Sequence, residues 1–169
     1  MRASPQASPA AEAAIRPAER QDDDALWAML RPVLRAGETY ALDRAISRER
    51  ALAYWRAPGH SVLVAGRPAQ GSYYLRANQG GGGAHVANAA FVVAEAARGQ
   101  GLATAMLAHA VEAARAAGFA AMQFNFVVET NPALRLWLRH GFAVVGRLPG
   151  AFRPPSGGAV DALVLHRAL

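Results

Sequence analysis

Phe91-Val92-Val93-Ala94-Glu95-Ala96-Ala97-Arg98-Gly99-Gln100-Gly101-Leu102-Ala103-Thr104 runs from an apolar strand through a short glycine-bearing turn into an alanine-rich helix. This arrangement suits an anion. The first N–H groups of a helix have no intrahelical acceptor and carry the positive end of its dipole. Gly99 and Gly101 let the backbone curl so that successive N–H groups converge, and Ala103 is too small to block a close approach. Three readings of the turn compete with a bound pyrophosphate of another kind. A dinucleotide fingerprint would need a third glycine where Thr104 stands. A Walker loop needs a lysine, and the sequence has none. A glycine-rich connection that binds nothing is the third.

Outward from this turn, the sequence alternates strand and helix signals. Upstream, 85–94 (HVANAAFVVA) is nearly all apolar, as a strand buried on both faces must be. Before it, 61–65 (SVLVA) and 72–76 (SYYLR) form a hairpin pair, with 78–83 (NQGGGG) as a loop. Two helices precede these. Asp22 to Asp24 supply an N-cap and first-turn charge for the one that runs through Leu34, and Pro32 inside it predicts a kink or break. Ser47 opens the other, which Pro58-Gly59 ends. A short strand over 14–16, ended by Pro17, comes first. Downstream, the helix over 101–117 closes on Gly118, and 121–128 (AMQFNFVV) is a second buried strand. A short helix over 132–140 follows, with Asn131 as N-cap and Gly141 as stop, and then strands over 142–147 and 159–166. The order β-α-α-β-β-β-α-β-α-β-β predicts an α+β fold of mixed α/β layers: one mixed sheet of about seven strands flanked by about four helices.

The bulk composition narrows the function. A chain of 169 residues fits one domain, expected over 14–169, with 1–13 as a disordered tail. The chain has no cysteine, which removes disulfides, thiolate nucleophiles and cysteine metal sites; no metal is expected. No apolar run is long enough to cross a membrane, and 1–14 lacks a signal-peptide core, so the reading is cytoplasmic. The net charge of +6 is carried entirely by arginine, scattered from Arg2 to Arg167 without a basic run. Nucleic-acid binding needs a clustered patch, so no nucleic-acid partner is expected.

Arg98-Gly99-Gln100-Gly101-Leu102-Ala103 resembles the Gln/Arg-x-x-Gly-x-Gly/Ala signature of the GNAT N-acetyltransferases. The later stretch Asn131-Pro-Ala-Leu-Arg-Leu-Trp-Leu-Arg-His-Gly141-Phe142 resembles that family's Asn-x-x-Ala-x-x-Leu-Tyr-x-x-x-Gly-Phe. Gly37-Glu38-Thr39-Tyr40 and Tyr54-Trp55 look like the acceptor-side segments of its phosphinothricin and amino-acid branch. Two departures stand out. The second signature is one residue short, so either Thr130 or Asn131 stands at the family's Asn. Trp137 stands where the family commonly has a Tyr that protonates the departing thiolate, which an indole N–H cannot do at neutral pH.

The resemblance implies a GNAT-type fold in which two parallel central strands, here 85–94 and 121–128, splay apart around acetyl-CoA. A primary amine of a small-molecule acceptor then attacks the thioester directly. It implies that backbone groups of Phe91, Val92 and Val93 meet the pantetheine, with the Val93 N–H on the carbonyl oxygen. Arg98, Gly99, Gln100, Gly101, Leu102, Ala103 and Thr104 would hold the pyrophosphate, and Asn131 and Trp137 would line the arm. Homodimers are common among relatives. Some members place a glutamate base upstream on the central strand, where this chain has Ala87-Asn88. Candidate catalytic residues are therefore His85, Asn88, Glu38 and Tyr40, with Tyr73, Tyr74, Glu129 and Asp161 behind them; a histidine changes charge in the useful range. Asn88 and Asn125, polar groups in apolar strands, are expected to line the cleft. Two alternatives remain: a non-catalytic acyl-CoA sensor, and acetylation of a protein N-terminus or side-chain amine.

Overall fold

Alternating side chains on the central strands divide one sheet into two buried faces, and each face collects its own helices. In the computed structural model, which describes residues 14–169, the strands are β1 (Ile15–Pro17), β2 (Ser61–Ala65), β3 (Gly71–Ala77), β4 (Val86–Val93), β5 (Ala121–Val128), β6 (Ala143–Phe152) and β7 (Val160–Ala168). The helices are α1 (Asp23–Ala36), α2 (Arg48–Trp55), α3 (Leu102–Ala116) and α4 (Leu134–Arg139). The tail expected over 1–13 lies outside the described residues. The sheet order is β1-β2-β3-β4-β5-β7-β6, antiparallel throughout except for the parallel pair β4–β5. The mixed α/β architecture and the order of elements are those the sequence predicts.

Tyr73, Leu75 and Phe124 face α3 and α4, where they pack with Leu102, Met106, Leu107 and Phe142. Tyr74 and Val92 face the other way, onto Leu26, Leu30 and Leu34 of α1 and Trp55 of α2. The helix α3 lies close on β3 because Gly71 has no side chain: a Cβ there would stand 2.8 Å from the Met106 sulfur. Gly118, at φ 84, turns the chain out of α3, and the following Phe119 N–H closes on the Ala114 carbonyl at 3.0 Å.

Several local expectations are corrected. Pro17 does not end β1 but belongs to it, which an edge strand tolerates. Pro32 does not break α1, which runs unbroken from Asp23 to Ala36 at the loss of one backbone bond. Asp22 holds the N-cap position of α1 without capping it. Its carboxylate takes two bonds from Arg16, at 2.7 and 2.8 Å, and one from the Glu19 N–H. That pairing draws the Asp22 carboxyl down to about 2. The short helix begins at Leu134, later than expected, because Asn131 closes a turn of its own: its side-chain oxygen accepts the Ala133 N–H at 2.9 Å. The loop over 78–83 contains a single 3-10 turn at Gly81–Gly83, and β6 runs on to Phe152.

Candidate functional site

β4 and β5 are in register only at Val86↔Ala121 and Ala87↔Met122, and beyond these they part. Just beyond, the pairing of β5 with β7 slips by one residue between Phe124 and Val127, a bulge on the strand that parts from β4. The backbone of β4 alternates in direction: Val86 and Ala94 bond toward β3 and its hairpin, through Asn78 and Gln70, whereas His85 accepts from Ala120 on the β5 side. The N–H and C=O groups of Ala89, Phe91 and Val93 therefore face the gap. Side-chain amides bridge its mouth. The Asn88 Nδ2 donates to the Gln123 carbonyl at 2.9 Å, the Gln123 Nε2 to the Asn125 Oδ1 at 2.9 Å, and the Asn125 Nδ2 to the Asn78 Oδ1 at 2.6 Å. Since Asn88 spends its nitrogen on a carbonyl, its Oδ1 remains as an acceptor in the cavity that the gap opens.

That cavity, of about 760 Å3, passes through the sheet. At one end it meets Arg98, Ala103, Asn131 and Trp137; along its middle it meets Phe91, Val92 and Val93. Gly99 and Gly101 both adopt positive φ, 74 and 83, and Gly101 is the N-cap of α3 with no side-chain cap. The first helical bond closes from Ala105 to Gly101, so the N–H groups of Leu102, Ala103 and Thr104 have no acceptor within the helix. Open space surrounds Gly99, and Gln100 turns its amide back onto the Ala96 carbonyl at 2.7 Å. The turn thus has the donors, the room and the dipole for a pyrophosphate. Val92 pairs with Ser72 of β3, which turns its backbone away from the gap, while the Leu102 side chain packs in the core and leaves its N–H at the turn. Trp137 lies against Phe124, ring centroids 5.1 Å apart, as a wall of the cavity.

At the other end the cavity meets Glu38, Tyr40, Tyr54, Tyr74, Arg76 and Asn88. The Tyr40 hydroxyl donates to the Phe91 carbonyl at 2.7 Å and ties the loop between α1 and α2 to the gap edge of β4. Burial, with Tyr74 and Tyr54 nearby, pushes that hydroxyl far above the ordinary phenol range, so Tyr40 is a fixed donor and not a base. Burial raises Tyr74 in the same way. Glu38 accepts from both the Ser156 N–H, at 3.2 Å, and its hydroxyl, at 2.6 Å. His85 does not reach the cavity: it is exposed, with Nδ1 on the Gly82 carbonyl at 3.0 Å. Glu129 and Asp161 are likewise drawn away, onto Arg147 at 3.0 and 2.6 Å, and Tyr73 is buried against His109. Strand alternation places Arg76 on the same face as Tyr74, a position with no local signature in the sequence. Among the described residues, no group of His, Asp or Glu gathers as a metal site, and no helix is long and apolar enough to cross a membrane.

The family described as Acetyltransferase (GNAT) family matches residues 27–142. A GCN5-related N-acetyltransferase from Kribbella flavida is 41% identical, with 98% of this chain and 100% of that chain covered, at a TM-score of 0.87. A ribosomal-protein-alanine N-acetyltransferase from Brucella melitensis is 25% identical, with 92% and 99% covered and a TM-score of 0.77. A GNAT superfamily phosphinothricin acetyltransferase from Sinorhizobium meliloti, solved in complex with acetyl-CoA, is 23% identical, with 93% and 88% covered and a TM-score of 0.80. No curated protein matches the chain.

Proposed function

This chain belongs to the GNAT family of acetyltransferases, and we propose that it moves the acetyl group of acetyl-CoA onto the primary amine of a small-molecule acceptor, by direct attack with both substrates bound. The parting of β4 and β5 after Ala87–Met122 carries this reading, because it opens backbone donors and acceptors to a through-cavity with the glycine turn at one end. The Sinorhizobium neighbour's complex with acetyl-CoA is in keeping with it. Acetyl-CoA supplies the activated acyl carbon: the C–N bond forms as the C–S bond breaks, and CoA leaves as the thiol.

The N–H groups from Gly99 to Thr104 and the Arg98 guanidinium hold the pyrophosphate, and the gap-facing groups of Phe91 and Val93 hold the pantetheine. The Val93 N–H is directed at the thioester oxygen. On the acceptor side the Asn88 Oδ1 receives an amine N–H and orients the nitrogen lone pair. Asn88 cannot take a proton, Tyr40 is already a donor, both Glu38 oxygens accept from Ser156, and His85 lies outside the cavity. The ammonium proton therefore leaves through water. The rate is expected to rise with pH through the acceptor's own ionisation, and His85→Ala to leave that profile in place. A positioned base contributes roughly 10² to 10⁴-fold, so a hundred-fold loss in His85→Ala would overturn the water route.

A small acceptor suits the cavity's far end better than a protein N-terminus. Ser156, in the loop between β6 and β7, is tied to Glu38, in the loop between α1 and α2, across the rim. Trp137→Phe is expected to keep turnover within a few-fold while costing roughly 1–3 kcal/mol of stability, measured by steady-state rates beside thermal melting. A ten-fold fall in rate at unchanged stability would instead give the indole N–H a part in the chemistry. The reading as a whole is tested by amine-dependent release of free thiol from acetyl-CoA, with the acetylated amine identified by mass. Intersecting initial-rate lines are expected, and parallel lines would point to an acetylated enzyme.

A further inference from the structure

A polar side chain taken out of water needs a partner, and the choice of partner shows what the residue is for. Outside the aromatic residues, the buried polar side chains among the described residues are Asp22, Ser72, Asn78 and Asn88. Three of them have a task. Asp22 answers Arg16, Ser72 accepts from the Trp55 indole at 3.0 Å and donates to the Leu63 carbonyl at 2.8 Å, and Asn88 stands where β4 and β5 part. Asn78 is the fourth. It is 8% exposed, follows directly on β3 and lies outside the cavity. Its backbone N–H donates to the Val86 carbonyl at 2.7 Å, which fixes it to the first residue of β4. Its side chain reaches past that strand: the Asn78 Oδ1 accepts from the Asn125 Nδ2, on β5, at 2.6 Å.

Asn125 and Phe126 stand at the bulge of β5, where two residues face Val164 alone. The Asn125 Oδ1 accepts from the Gln123 Nε2 at 2.9 Å, and the Gln123 carbonyl is the group that holds the Asn88 Nδ2. Gln123 is thus held twice, at its carbonyl by β4 and at its side chain by Asn125 and Asn78. The last in-register pair of β4 and β5 is Ala87↔Met122, so both ties fall on the first residues after the strands part. Main-chain bonds no longer set the spacing there, and side chains must. The Asn88 Oδ1 is then placed only as firmly as the Gln123 carbonyl opposite it. Apolar residues of the same shape at both Asn78 and Asn125 would fill the space about as stably, so stability alone gives no reason for the pair. We propose that Asn78, which touches no substrate, is a positioning residue for acetyl transfer. Acting through Asn125 and Gln123, it fixes the width of the fork between β4 and β5, and with it the Asn88 Oδ1 that receives the amine.

This assignment rests on the acetyl-transfer reading and on the place of Asn88 in it, and one set of variants separates the three. Thiol release from saturating acetyl-CoA is followed with butylamine, phenethylamine, leucine and methionine. The amine that the parent uses fastest is then carried through the variants, well below their melting temperatures. Asn78→Leu removes the tie and is expected to lower kcat about ten-fold, the scale of a reacting group displaced by part of an ångström. Asn78→Ala gives the same reading should the leucine not fit. KM for acetyl-CoA and the melting rise it gives stay as in the parent, since the glycine turn lies at the cavity's other end. Asn78→Asp is expected to restore most of kcat, because a carboxylate still accepts from the Asn125 amide. Asn125→Leu should lose at least as much as Asn78→Leu, and the double variant no more than Asn125→Leu alone, as members of one chain do. An Asn78→Leu variant that melts lower but keeps kcat within three-fold, an Asn78→Asp that recovers nothing, or losses that multiply in the double variant would overturn this assignment while Asn88→Ala still loses activity. If Asn88→Ala also keeps its kcat, the orienting role of Asn88 falls too. No thiol release with any of the four amines would overturn the acetyl-transfer reading, and this assignment with it.

Discussion

Gly101→Asp is expected to abolish acetyl-CoA binding in a protein that still folds. Gly101 has φ 83 and sits directly before the unpaired N–H groups of Leu102, Ala103 and Thr104. A side chain at that position meets two obstacles. The left-handed conformation costs an L-residue roughly 1–2 kcal/mol, and the carboxylate would occupy the place where a pyrophosphate receives those N–H groups. Charge repulsion adds to both, since the site is built for an anion. In the empty protein the same charge lies at a helix N-terminus, where it is favourable by about 0.3–1 kcal/mol. The variant should therefore melt within a few degrees of the parent but show no rise with acetyl-CoA. A variant that binds acetyl-CoA like the parent would remove the turn from the cofactor site.

Asn88→Ala is expected to lower kcat by roughly a hundred-fold, the scale of a reacting group displaced by about an ångström. Its amide performs two tasks at one point. Nδ2 satisfies the Gln123 carbonyl across the parting strands, and Oδ1 is left to receive the acceptor. Alanine removes both, leaving the carbonyl unpaired and the amine unoriented. The glycine turn lies at the other end of the cavity, so the melting rise with acetyl-CoA should persist. Steady-state rates beside that melting rise distinguish loss of orientation from loss of fold. A kcat within three-fold of the parent would deny Asn88 its role.

The element order was legible because this chain punctuates its elements strongly. Gly118, Pro58-Gly59 and Gly141 stop helices, and the long apolar runs of β4 and β5 mark strands covered on both sides. Asn88 and Asn125 were legible for the converse reason, as amides within such runs. Other features depend on contacts between distant residues. The bulge in β5 has no local signature, since Asn125-Phe126 reads as ordinary strand until β7 is laid beside it. Tyr40 belongs to a loop, and only the fold sets its hydroxyl on the Phe91 carbonyl. Asp22 looks like a helix cap because nothing local reveals that Arg16 claims its carboxylate. His85 was attractive for its chemistry, yet it lies one residue before β4 begins and points into the glycine loop.

The cleft between β4 and β5 as an acetyl-CoA site is tested most directly by melting the full chain with and without the compound. A ligand held at a hundred times its dissociation constant adds ~2.7 kcal/mol to the folded state, so acetyl-CoA is expected to raise the melting temperature by several degrees. Desulfo-CoA should do nearly as well, because the contacts to the pyrophosphate and pantetheine are retained, whereas adenosine should do much less. No rise with saturating acetyl-CoA, or an equal rise with adenosine alone, would contradict the assignment of this cleft.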